Sequence, residues 1–246
     1  MKKMTIMLIS GCLIWSSLDA QIHLFIQEQE VNLPDATSMA WVLPVARNLD
    51  EALDDLRDYC KDRSDIRMKK DGENLMIAEK VSVPTIITKR GDMIGYGFIT
   101  ENYYGMAMVF QLGYDISLNS RDWPTEMMNF RNYAKEFMSY HYEQSYSRRI
   151  ESLEKDIKSV EREKNQNENK MSRLAKDVEN IDKKVAKETD TEKIASMQVE
   201  KTTLGSDIQA LKDTLPVLQA QIDQLSQNVE KLKNESNTYQ TTISSF

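Results

Sequence analysis

Cysteine is too scarce here for a disulfide-stapled domain: the 246 residues hold two. One of them, Cys12, falls in a leader-like segment, which leaves Cys60 without an intramolecular partner. Histidine is equally scarce. His23 and His141 lie in different segments, and no G-x-S-x-G, H-E-x-x-H, C-x-x-C or phosphate-loop pattern accompanies them. The sequence therefore points to no catalytic residue, metal or cofactor. No apolar run approaches the ~18 residues of a comfortable membrane span. Positive charge is also in deficit, since the formal charge of −7 argues against nucleic acid and anionic membrane surfaces as partners. Glycine and proline number eight and five, and past position 147 only Gly205 and Pro216 remain. Such a stretch cannot be a loop-rich second domain. It reads as long helix attached to a head of ~120 residues, large enough to bury its own core.

What is present begins with an export signal over residues 1–20. Lys2 and Lys3 precede an apolar run from Met4 to Trp15, and Ala20 provides the small residue before a cut at Gln21. The run "ISGC", Ile9 to Cys12, resembles the lipobox of bacterial lipoproteins, with Cys12 as the lipidated residue. Only a short apolar stretch precedes Cys12, and "LIW" follows it where polar residues are expected. Simple export to the periplasm or exterior is the expectation, with a lipid anchor at Cys12 as the alternative.

Residues 21–146 alternate like an α+β head. "QIHLFIQEQEV" and "SMAWVLPVA" are extended, with Met39, Trp41, Leu43 and Val45 on one face and Pro44 suited to an edge. A helix follows, capped by Asn48 with Glu51 in the capping-box position, and it carries Leu49, Leu53, Leu56 and Cys60 on one side. Cys60 is thus a small buried thiol. Asp71-Gly72 marks a hairpin, and "TIITKRGDMIGYGFI" is expected to supply two further strands with Arg90–Asp92 at their tip. That tripeptide matches an integrin-recognition motif, but its residues are ordinary turn formers. Met106, Met108, Phe110 and Leu112 form a strand-period core stripe. A last helix opens at Pro124. The fold class expected is an antiparallel sheet with helices on one face. Tyr133, Phe137, Tyr140, Tyr142 and Tyr146 gather near the end of this helix. They suit packing at a neck, or a site for an aromatic or sugar ligand.

From Ile150 apolar residues recur at the 3-4 spacing of a coiled-coil seam through Val185, and again from Ile194 through Leu232. The two runs are out of phase by two residues, which neither a stutter nor a stammer absorbs. Folding back aligns them: Val185 meets Met197, Leu174 meets Ile208 and Ile150 meets Leu232. The rod predicted over 147–235 is an antiparallel coiled-coil hairpin with its tip near 189–193. Thr189 or Asp190 would cap the return helix. Expected cross-arm ion pairs are Lys184–Glu200, Glu168–Lys212 and Arg149–Glu235. A break is expected at Pro216, close approach to Ala175 at Gly205, and a frayed tail over 236–246. The hairpin resembles those of periplasmic adaptor proteins in efflux pumps, where the chain re-enters the globular domains; here it is expected to stop.

These readings imply an exported structural or interaction protein of the bacterial cell envelope, not an enzyme, whose rod acts as spacer, scaffold or docking arm. The alternative is a ligand-binding or enzymatic head oligomerised through the coil. Protein partners, through rod or head, are implied by either reading.

Overall fold

The computed structural model describes residues 24–34, 36–46, 48–113 and 116–246; the export signal, Cys12 and His23 lie outside them. Along these residues run β1 (Gln27–Asn32), β2 (Thr37–Val45), α1 (Leu49–Ser64), β3 (Lys69–Lys70), β4 (Leu75–Val83), β5 (Ile87–Ile99), β6 (Tyr104–Gln111), α2 (Pro124–Val185) and α3 (Thr191–Ser244). All strand pairs are antiparallel, in the order β1-β2-β6-β5-β4-β3.

Period-two alternation sets the two faces of the sheet. Trp41 and Leu43 pair across strands with Met108 and Met106, and with Phe110 they build the face that α1 and α2 cover. The methionine stripe is core, as expected. Leu53, Leu56 and Cys60 reach this face from α1, and Met127, Phe130 and Phe137 from α2. Gly95 lets α1 settle this closely, because a Cβ there would lie 2.1 Å from Leu56 Cδ2. The indole of Trp41 donates to the Met127 carbonyl at 3.0 Å, tying sheet to helix. On the opposite face Ala40, Val42, Ala107 and Val109 are buried among Phe25, Tyr96 and Phe98. Asn48 caps α1 as its sequence predicts: its side chain accepts from Glu51 N–H and donates to the Glu51 carboxylate.

Two head expectations change. "TIITKRGDMIGYGFI" is not a hairpin, since β5 runs unbroken for 13 residues through Arg90–Asp92. The reversal lies upstream, where Pro84 opens a turn closed by Ile86 N–H to the Val83 carbonyl. Asp92 is occupied there, accepting the Lys80 N–H at 2.7 Å and holding a bulge in which Lys80 takes φ 51. Pro44 also sits on an inner strand. It lies past the last β1 pair, Gln27↔Val42, and faces only Gly105 of β6, so no β1 acceptor goes unmet.

Helix α2 leaves the head without interruption and spans 62 residues, ~93 Å at 1.5 Å per residue. A tip at 186–190 reverses the chain, and the Asp190 side chain caps α3 by accepting from the Glu192 and Lys193 N–H groups. The two helices then run antiparallel. Asp182 meets Lys201 at 2.5 Å near the tip, Lys164 meets Gln219 midway, and Lys135 reaches the Ser244 carbonyl beside the head. This is the helical hairpin, in the register that its apolar spacing predicts.

Details of the hairpin differ from expectation. Glu168 pairs within its own helix with Lys164, and Glu235 with Lys231, while the Arg149 guanidinium lies over the Tyr146 ring. Exposed pairs contribute so little that a long side chain takes the nearest i,i+4 partner. Helix α3 passes through Pro216 unbroken. That residue is exposed, so water can satisfy the carbonyl freed four residues earlier. At Gly205 an added Cβ would meet nothing within 4 Å, so no close approach to Ala175 explains it. The tail is not frayed either. Residues 236–244 continue α3, with Ile243 1% exposed in the same core as Phe137 and Leu232. After the hairpin the chain thus returns to the head.

Candidate functional site

The most concentrated set of polar contacts lies where α2 leaves the head. Asp55, on α1, is 5% exposed, and His141, on α2, is 0% exposed. Asp55 Oδ2 lies 2.7 Å from His141 Nδ1. The Arg148 guanidinium, two turns further along α2, donates to both Asp55 oxygens at 2.8 Å and also reaches Glu51 at 3.3 Å. On the far side of the imidazole, Ala46 N–H donates to His141 Nε2 at 3.0 Å. The geometry assigns the tautomer: Nε2 accepts, so Nδ1 carries the proton and donates it to Asp55. Burial alone would raise the Asp55 carboxyl. Hydrogen bonds from Arg148 and His141, with the guanidinium charge of Arg148, outweigh that effect and hold it below its ordinary value.

An Asp–His pair invites a catalytic reading, and this geometry denies it one. Both ring nitrogens are committed, and Nε2 faces a backbone amide instead of a nucleophile or a cavity. The cluster is a clasp. It joins the end of β2, the middle of α1 and the neck of α2, and so fixes the direction in which the rod departs.

Of the five aromatics singled out by sequence, Phe137 and Tyr142 pack on the His141 ring. Tyr133, Phe137, Tyr142 and Tyr146 are buried and Tyr140 is half-buried. Tyr59 of α1 packs against Tyr133, Phe137 and Tyr140 with ring centroids 5.1 to 5.8 Å apart. Tyr142 stacks on Tyr239 of α3 at 5.2 Å and 5°, and Tyr239 also meets Tyr146. Burial raises the Tyr133 and Tyr142 phenols. Ser139 and Gln240 add a side-chain hydrogen bond between the two helices. The neck is thereby a three-helix layer of α1, α2 and the last turns of α3.

Other candidates are smaller. Cys60 is buried, its thiol pushed by that burial to about 11, which suppresses thiolate chemistry. A polar cleft of about 90 Å³ is lined by Arg63, Thr85, Asn129, Asn132, Tyr133 and Glu136, and an Arg63–Glu136 ion pair at 3.0 Å lies along it. Among the described residues, no cluster of three or more His, Cys, Asp or Glu could hold a metal ion, and no helix is long and apolar enough to cross a membrane. Sequence reasoning missed Asp55 and Arg148. The available signal was the position of Asp55 between Ala52 and Tyr59, on a flank of α1 that is apolar at helical spacing. No protein-family model, curated protein or solved structure matches the chain.

Proposed function

We propose that the chain is an exported structural and interaction protein of the bacterial cell envelope. Its α+β head carries a coiled-coil rod that acts as a spacer or docking arm. One observation carries the reading: both ends of the hairpin are built into the head. The outgoing helix is held by the Asp55–His141–Arg148 clasp, and the returning helix by Tyr239 and Ile243. A flexible tether would need neither. Beyond Arg148, α2 continues 37 residues to Val185, ~56 Å at 1.5 Å per residue, and presents the tip at a fixed distance and direction. The leader over 1–20 supports export, and the charged, glycine-poor arms support a rod.

Paired deletion tests this reading. Removing residues 164–170 together with 212–218 takes one heptad from each arm, keeps the register, and shortens the rod by ~10 Å. In cells lacking the gene, the wild-type chain should restore the lost phenotype and the shortened chain should not. A shortened chain that folds and restores it fully would refute the spacer role.

A further inference from the structure

Charge on α2 is sorted by position. Taking Ile150 as heptad position a, the acids Glu154, Asp156, Glu161, Glu163, Glu168, Asp177 and Asp182 stand at e or g, beside the seam, and only Glu151 and Glu179 stand elsewhere, at b. Positions c and f, on the outward side, carry no acid from Ser152 to Lys183. They carry Arg162, Arg173 and Lys176, and Lys158 adjoins them at b. All four are exposed. Arg162, Arg173 and Lys176 form no salt bridge among the described residues, and after the Lys155 hydrogen bond, the Lys158 charge helps hold the Glu151 carboxyl below its ordinary value. Lys155 and Lys183 continue the row while pairing with Glu151 and Glu179. The result is a straight basic ridge from 155 to 183 of α2, ~42 Å long. The back of α3 differs. From Ala195 to Ala220 its b, c and f positions hold small or uncharged residues apart from Asp213, and Val199 and Val217 are 68% and 56% exposed.

Solubility alone does not call for this sorting, because interspersed charges of both signs solvate a helix equally well. We propose that the outer face of α2 is a docking surface for an anionic lipid bilayer, with the rod lying along the membrane plane. A convex, straight row of bases fits a flat field of phosphates. It lacks the groove and the aromatic residues that grip single-stranded nucleic acid, and it lacks the apolar side chains that would insert into the bilayer. The net charge of −7 does not oppose this locally. At physiological salt the screening length is about 8 Å, so the bilayer senses the ridge ahead of the distant head.

The test is vesicle co-sedimentation with the chain lacking residues 1–20. That segment is absent from every sample, so the result is independent of where export cleavage occurs. Vesicles are phosphatidylcholine alone or phosphatidylcholine mixed with phosphatidylglycerol. The ridge variant is Lys158→Gln, Arg173→Gln and Lys176→Gln. A control with the same net charge carries Lys69→Gln, Lys70→Gln and Lys89→Gln in the head. The native chain and the control should bind the anionic vesicles, more weakly as salt rises, and should ignore the neutral ones. Each base near such a surface is worth about a factor of five, so the ridge variant should bind about a hundredfold more weakly, with unchanged circular dichroism. The proposal is overturned by absent binding to anionic vesicles, by equal losses in the two variants, or by ridge-dependent binding of duplex DNA as tight as that of vesicles.

Discussion

Replacing Asp55 by alanine removes the acceptor at the centre of the neck. His141, 0% exposed, keeps an Nδ1–H with nowhere to donate, and a stranded buried donor costs about 1–3 kcal/mol. The Arg148 side chain is 40% exposed and can turn toward water, so its lost ion pair adds only about 1 kcal/mol. The expected loss is about 2–4 kcal/mol, and Asp55→Asn, which retains one acceptor oxygen, should lose about half as much. Urea unfolding measures it. Tryptophan fluorescence reports the head through Trp41 and Trp123, the two tryptophans past the leader, while far-ultraviolet circular dichroism is dominated by α2 and α3. Acidity supplies an independent check. Because the folded-state value of Asp55 lies below its ordinary 3.8, its contribution is fully present above that value and is lost as pH falls through the folded one. The stability gap between wild type and Asp55→Ala should therefore stay level from neutral pH to about pH 5 and close in stronger acid. A variant within about 0.5 kcal/mol of wild type, with the same acid profile, would refute the clasp.

Three further outcomes follow from the geometry. Ile243→Ala should destabilise the head by about 2–3 kcal/mol, because it empties a fully buried site; an unchanged tryptophan-detected transition would contradict the return of α3 to the core. Gly205→Ala, with open space around its Cβ, should gain about 0.5–1 kcal/mol, whereas Gly105→Ala should lose about 1–3 kcal/mol, because its Cβ would lie 2.4 Å from the Phe98 ring; thermal melts moving in the same direction would undo both readings. Cysteines at Val185 and Met197, in a chain from Gln21 with Cys60→Ala, should oxidise within one molecule on non-reducing electrophoresis; dimers without any monomeric product would rule out the hairpin register.

The periodic parts of the fold were legible and the punctuated parts were not. Apolar spacing over scores of residues located both long helices and their register, and strand alternation placed Trp41, Leu43, Met106 and Met108 on one covered face. β5 was misread because Arg90, Gly91 and Asp92 are ordinary turn formers; Pro84 held the real reversal. The tail was misread because "NTYQTTISSF" is polar on average, yet Tyr239 and Ile243 fall four apart and share one buried side. Composition averages away a single stripe. At the neck, the aromatics could be found from their density in the sequence. The Asp55–His141–Arg148 clasp could not, because two of its members are ordinary helix-surface charges until tertiary packing covers them.

The return of α3 has a consequence in time. Ser139 and its partner Gln240 stand 101 residues apart, and a chain is made at about 5–20 residues per second. Tyr142 and its neighbours therefore wait at least ~5 s, with their apolar faces uncovered, before Tyr239 exists to cover them. Closing such a distant contact is slow in itself, but the hairpin shortens the search. Once the tip turns, each heptad that zips brings the end of α3 nearer to the head, so the last contact in the sequence becomes a local one. The rod is then the guide by which the head finishes folding, and substitutions near the tip should delay burial at the neck without touching it.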